Sequence, residues 1–432
     1  MRLIASPSIA AISALVALQA APRPHYGGTL RIEMRAAVVS LDPAETPVDQ
    51  AEAAAKERLA GQVFETLVQL DDKGEPQPWL ATSWTHEQAH RRWVFAARKG
   101  VMLHNGVEWA PPGGIVAVDD NRPIEEILRN LAKPRNAIVV RAADGVLIGT
   151  GPFRIANWET KKVVTLEAHD RYWGGRPFLD RIEVRMGRSQ RDQALDFELA
   201  KADVVELPLG EIRHTQQQGG KVSVTAPVEV VALVFENRKP EMDRLREALS
   251  LSIDRATIHK VLLQQQGSTS AALLPQWLSG YAFLFPAARD LTHAKELAGT
   301  APPLSFAYDG QAPLVRSIAE RIILNAGEAG LTLRAATGGS ADVRMVTLRI
   351  ASADARQALE DVAVALQAPF GSVAPGDPAR LYEAERALLE SRRVIPLFHL
   401  PEAWQLGANV RAWKVSDRWR LENVWLDQRN NQ

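Results

Sequence analysis

The chain has 432 residues, with 51 Lys and Arg against 51 Asp and Glu and no cysteine. That balance argues against a nucleic-acid binder, which carries a basic excess. The missing thiols exclude disulfides, a cysteine nucleophile and Cys-ligated metal. At ~150 residues per domain the length predicts two or three domains or two lobes with insertions, and Trp, at 11, equals Phe and exceeds the 5 Tyr.

Met1–Ala21 reads as a secretory signal peptide, with Arg2 as a short positive region, an apolar run from Ile9 to Leu18, and small residues at Ala20-Ala21. No Cys follows that run, so no lipid tether is expected. Gly27–Met34 alternates as a short strand through Leu30, Ile32 and Met34. Ala51–Leu70 is predicted as a helix with Ala55, Leu59, Val63, Phe64 and Leu67 on one face. Trp79–Asn105 is predicted as a β-hairpin region, and Ile148–Met186 as β-rich. A long helix is predicted from Lys239-Pro240 to Gly267, carried by Leu245, Ala248, Leu249, Ile253, Ile258 and Leu262. Next come a strand at Leu304–Tyr308, a helix at Pro313–Gly330 and a strand at Leu331–Ala335. Helices at Ala353–Leu366 and Pro378–Arg393 precede a strand at Ile395–Leu400. This mixture predicts α/β lobes.

One motif matches metal chemistry. His86-Glu87-Gln88-Ala89-His90 has the H-E-x-x-H spacing that, on a helix, grips zinc with Glu as base. Its flanks, Trp84-Thr85 and Arg91–Phe95, favour strand and turn, so a solvated hairpin turn is the preferred reading. A zinc hydrolase using His86, Glu87 and His90 is the alternative. Gly149-Thr150-Gly151 is followed by Pro152, which lacks the N–H that a phosphate cradle needs, so a turn is expected there.

Several segments, taken in order, resemble the family 5 extracellular solute-binding proteins, the oligopeptide-, dipeptide- and nickel-type receptors of ABC importers. They are Gly27–Ile32, Leu41-Asp42-Pro43, Val63–Leu67 with Pro78–Trp84, Trp93–Val101 with His104-Asn105-Gly106, Gly149–Phe153, Tyr172–Pro177, and Leu245–Leu249 with Ile253-Asp254-Arg255. The resemblance implies an α/β, two-lobed, type II periplasmic-binding-protein-like fold with a shortened accessory subdomain. It implies lobe I over 22–228 plus 398–432, with the accessory region at about 60–150, and lobe II over 229–397. The chain would cross between lobes near Val228–Asn237 and Val394–Leu400. It also implies a non-enzymatic periplasmic receptor without a cofactor, a monomer that delivers a small, peptide-like ligand to an inner-membrane permease. A degenerate, binding-protein-like sensor is a further alternative. The stretch Thr347–Asp354 lacks the family's Trp and carries Ala355 in place of its Pro, which departs from the peptide-amine pattern.

Six residues are candidate ligand contacts, each with a structural alternative. Asp49 lines the family's cleft or caps the following helix. Arg349 pairs with a ligand carboxylate through its planar fork or is a solvated strand charge. Asp354 holds an ammonium or caps the helix at Ala355. Trp277 is an aromatic platform or interlobe packing. His399 and Trp404, near the return crossing, contact ligand or fill core.

Overall fold

The computed structural model describes residues 23–427 apart from 72–73, 89–90, 121, 144, 237–241, 282–283, 311, 337–339, 369, 371–376 and 415–418. The predicted leader, His90 and the predicted helix start at Lys239-Pro240 lie outside the described residues.

Eleven strands form one sheet among the described residues: β1 (Thr29–Glu33), β2 (Phe153–Glu159), β3 (Val163–Ala168), β4 (Arg181–Arg185), β5 (Val204–Glu206), β6 (Lys221–Phe235), β7 (Ser268–Thr269), β8 (Leu304–Ala307), β9 (Leu333–Ala335), β10 (Val343–Arg349) and β11 (Val394–Leu406). The spatial order is β9-β8-β10-β6-β11-β5-β1-β4-β3-β2, with β7 pairing beside β11. The first half, β2 to β5 with β1, is joined to the second half, β8 to β10, by the long antiparallel pair β6 and β11. One stretch of that pair runs from Lys221 opposite Leu406 to Val224 opposite Ala403; the other runs from Glu229 opposite Leu400 to Val234 opposite Val394. Register shifts on either side of Pro227 separate the two stretches, where Pro cannot donate to the ladder.

The helices explain the layering. Seven of the described helices matter here: α1 (Gln50–Val63), α2 (Ile124–Leu131), α3 (Asp243–Ser252), α4 (Arg255–Val261), α5 (Pro313–Glu328), α6 (Ala355–Ala365) and α7 (Pro378–Glu390). In β6, Val231, Leu233 and Phe235 enter one core with α3, α4 and α5, while Val230, Ala232 and Val234 enter another with α6 and α7. Burial on both faces is why the last six residues of β6, Val230–Phe235, read as an unbroken apolar run. The first half has its own core, in which Leu30, Ile32 and Met34 meet Ala55, Leu59 and Val63 of α1 and the indoles of Trp404, Trp413 and Trp419. Each such fully buried Leu or Ile stabilises by roughly 1.5–3 kcal/mol. A fourth, small core gathers Leu67, Leu80, Phe95, Ile127 and Leu128, with Trp79, Trp84, Trp93 and Trp173 along its margin.

Two predicted helices are shorter than their periodicity suggested. The first ends at Val63, Phe64 is extended, and Val68–Leu70 pairs as a strand with Pro76–Pro78. The second is split, because the Asp254 carboxylate accepts from Thr257 N at 2.9 Å and restarts the helix as α4. A cap of this kind is worth about 1 kcal/mol. The predicted strand at Ile395–Leu400 is the first half of the longer β11.

Candidate functional site

Charged side chains meet where the two halves face each other. On α1 the inward stripe Ala55, Leu59 and Val63 is shared by Arg58 and Gln62, both buried. Arg58 forms an ion pair with Glu402 of β11, and the other carboxylate oxygen of Glu402 pairs with Arg349 of β10. One carboxylate is thus held by guanidinium groups from both halves of the sheet. Both arginine side chains are nearly closed off, at 5% and 8% exposure, with Glu402 at 20%. Burial works to raise the Glu402 carboxyl, and Arg349 and Arg58 overcome it, holding it below the usual carboxylate range. The backbone N–H of Arg349 donates to Gln50 Oε1 at 2.9 Å, tying β10 to the start of α1.

Glu229 stands directly across the ladder from Arg349. It is half-buried. Burial and then the charge of Glu402 push its carboxyl up to about 7, against the opposing pull of Arg349 and Arg35. Arg35 itself pairs with Glu206 at 3.1 Å on the first half. The arrangement is a mixed-charge wall of Arg58, Arg349, Glu402 and Glu229, assembled only when α1, β6, β10 and β11 come together.

The six predicted residues are distributed around this wall. Arg349 is in it. Asp49 accepts from Glu52 N at 2.8 Å as the N-cap of α1, one residue before Gln50. Trp404 lies 1% exposed in the first core, with the Arg58 guanidinium 5.6 Å from its ring centre. Asp354 accepts from Gln357 N at 2.8 Å as the N-cap of α6, and its other oxygen is 2.6 Å from Arg129 Nε of α2. Trp277 is 43% exposed and donates its indole N–H to the Pro227 carbonyl at 2.8 Å, beside the crossing strand. His399 is buried in the second half, its Nε2 at 3.1 Å from the Leu273 carbonyl, and burial lowers its pKa to about 4.

Arg58, Glu402 and Glu229 escaped sequence reasoning. A signal existed for Arg58, because it occupies the i+3 place of an otherwise apolar stripe running from Ala55. Glu402 lies in the return segment between the two residues chosen there, His399 and Trp404, but nothing local distinguishes it.

His86 and Glu87 lie in a strand spanning Ala81–Glu87, paired opposite Trp93 and Arg92. Neighbouring residues in a strand point to opposite faces, so these two do not form the helical zinc arrangement. His86 packs on the Trp93 ring at 4.7 Å and Glu87 pairs with Arg92 at 2.7 Å. Among the described residues no group of three or more His, Asp or Glu side chains is placed to hold a metal ion. The Gly-Thr-Gly segment is a close backbone approach: a Cβ on Gly151 would sit 2.6 Å from the Gln62 carbonyl. A cavity of about 500 Å³ opens on the second half beside Thr269, Leu284 and Phe285, and none of the charged wall lines it.

Two halves joined by a pair of long crossing strands, with a charged wall between them, define the two-lobed type II class of binding proteins. The solved structures agree. NikA from Staphylococcus aureus in complex with Ni(L-His)2 superposes with a TM-score of 0.76 at 17% identity, covering 92% of this chain and 100% of that one. DppA from Helicobacter pylori in complex with the peptide STSA superposes with a TM-score of 0.75 at 20% identity, covering 94% and 99%. The profile of bacterial extracellular solute-binding proteins, family 5, middle region, matches residues 117–337, and the chain belongs to that family. Among curated relatives, the nickel-binding periplasmic protein of Escherichia coli K12 is 24% identical over 246 residues, 45% of this chain and 47% of that protein. The matched stretch is thus about half of that relative's length. No helix among the described residues is long and apolar enough to cross a membrane.

Proposed function

We propose that the chain is a periplasmic solute receptor of an ABC importer. It captures a small, peptide-like ligand between its lobes and delivers it to an inner-membrane permease. In this reading the leader Met1–Ala21 directs export, lobe I comprises 22–228 plus 398–432, and lobe II comprises 229–397. The observation that carries the proposal is the wall of Arg58, Glu402, Arg349 and Glu229 at the crossing strands. An interface between lobes is where a small-molecule site belongs. Opposite charges in one wall suit a ligand with both an anionic and a cationic end. Arg349, held by Glu402, supplies positive charge in the wall for the anionic end, and Trp277 offers an exposed aromatic face. Asp49, Asp354, His399 and Trp404 act in support, by capping helices and packing the strands that carry the wall.

Thermal denaturation in the presence of short peptides, nickel–histidine complex, haem and sugars tests this reading. A ligand at one hundred times its Kd stabilises by about 2.7 kcal/mol. One class should raise the Tm saturably, and Arg349→Gln should abolish that response. No rise with any class would overturn the assignment.

A further inference from the structure

Outside the charged wall the two halves touch a second time. The fourth core carries α2 rigidly, through Ile127 and Leu128. A different core carries α6, through Ala358, Leu359 and Val362. Between them the contact is polar. Arg129 of α2 meets Asp354 of α6 at 2.6 Å, outside hydrogen-bond geometry, with side chains 15% and 12% exposed. Next along the same edge, the positive charges of Lys133 and Arg135 act on Asp361, while Asp361 and Glu360 act on Lys133. Arg356, paired with Glu360 at 3.8 Å, is the basic group on the α6 side. The turn before Glu75 completes the contact. Gly74 has φ +78, and a Cβ there would lie 2.6 Å from the Ala353 carbonyl, so only glycine lets the backbones approach.

We infer that the α2 edge and the α6 N-terminal edge form an electrostatic clasp that holds the two halves closed before a ligand arrives. The clasp joins two bodies with separate cores through side-chain charge, and such polar contacts between domains are breakable. Its strength therefore adds to that of the Glu402 bridge in favouring closed over open chains, and through that ratio raises the apparent affinity for anything captured in the closed form. The inference rests on contacts within the chain and holds whatever the ligand.

Because the chain has no cysteine, two introduced ones can be spin-labelled cleanly: Thr160→Cys on the first half and exposed Leu324→Cys on the second. Distance distributions of the unliganded protein are then measured at about 10 mM and about 1 M salt, where the screening length falls from ~30 to ~3 Å. At low salt the otherwise unaltered chain should give a single short distance. Arg129→Gln and Asp354→Asn should each move population to a longer distance, lowering the closed-to-open ratio about fivefold. Their combination should go no further than either alone, and high salt should open the unaltered clasp but leave these variants unchanged. Asn retains the helix cap, and Arg129→Lys, which keeps the charge, should keep the short distance; both guard against misfolding as the cause. Identical distributions for all chains at both salts, or opening by Arg129→Lys as large as by Arg129→Gln, would overturn the clasp.

Discussion

Glu167 and Glu402 are each bridged by two arginines, and they differ in where the bridge lies. Glu167 joins Arg154 at 2.9 Å and Arg181 at 2.7 Å on an exposed face of β3, where both arginines are half open to water. Glu402 joins Arg58 and Arg349 in the contact between halves, where both arginines are buried. The pairing chemistry is the same. On the surface, water already solvates each charge, so the pairs contribute little. Between the halves the charges have been removed from water, so each depends on the other two. Burial thus turns the Glu402 bridge into a coupling between lobes, while the Glu167 bridge remains local.

The sharpest way to break this comparison is to remove each carboxylate. Glu402→Ala leaves two buried guanidinium groups without their anion and should cost about 3–5 kcal/mol in urea denaturation. Equal losses for Glu402→Ala and Glu167→Ala would show that burial is not the deciding factor.

A third carboxylate separates burial from pairing. Glu385 is buried even more completely than the Glu402 arginines, yet its partners are neutral: the N–H groups of Leu273 and Leu274, and the Tyr281 hydroxyl, which donates to it at 2.5 Å. Burial pushes its pKa up to about 7. Its folded-state pKa lies above the unfolded value, so its contribution is present in acid and is lost as pH rises through 7. Glu385→Gln should therefore gain on the unaltered chain between pH 5 and 8, by an amount on the order of 3 kcal/mol. Glu402 carries the opposite sign: its pKa is depressed, so its contribution is present above the ordinary carboxylate range and is lost as pH falls. Parallel pH–stability curves for Glu402→Gln and Glu385→Gln would contradict that assignment.

A smaller effect is expected at Glu65. Trp79, Tyr172, Trp173 and Thr150 all donate to its carboxylate. Glu65→Gln keeps one acceptor oxygen and should cost about 1–3 kcal/mol, visible as a lowered Tm. The least effect belongs to Glu167→Ala, within about 1 kcal/mol and vanishing at high salt.

Much of the fold was legible because its causes are local. The alternation at Leu30, Ile32 and Met34, the strand at Ile395–Leu400, and the helices expected over Ala353–Leu366 and Pro378–Arg393, observed as Ala355–Ala365 and Pro378–Glu390, follow from period and capping. The overlong predictions at Ala51–Leu70 and at the α3–α4 stretch failed for a local reason also: periodicity carried through Phe64, where the chain turns extended, and through Asp254, whose side chain caps a new helix. The site was legible only in part. Of the candidates named from sequence, Arg349 falls in the charged wall, whereas Asp49 and Asp354 each spend an oxygen capping a helix.

The order of motifs along the chain determined the family, and the alternation at Leu30, Ile32 and Met34 determined the opening strand. Those properties are written in consecutive residues, because backbone geometry repeats over two or four positions. Only the tertiary structure decided which charges meet. Arg58 and Glu402 are 344 positions apart, and Arg349 and Glu402 are 53 apart. The energy of a charge pair depends on distance and burial in space, and neither is encoded by spacing in the chain.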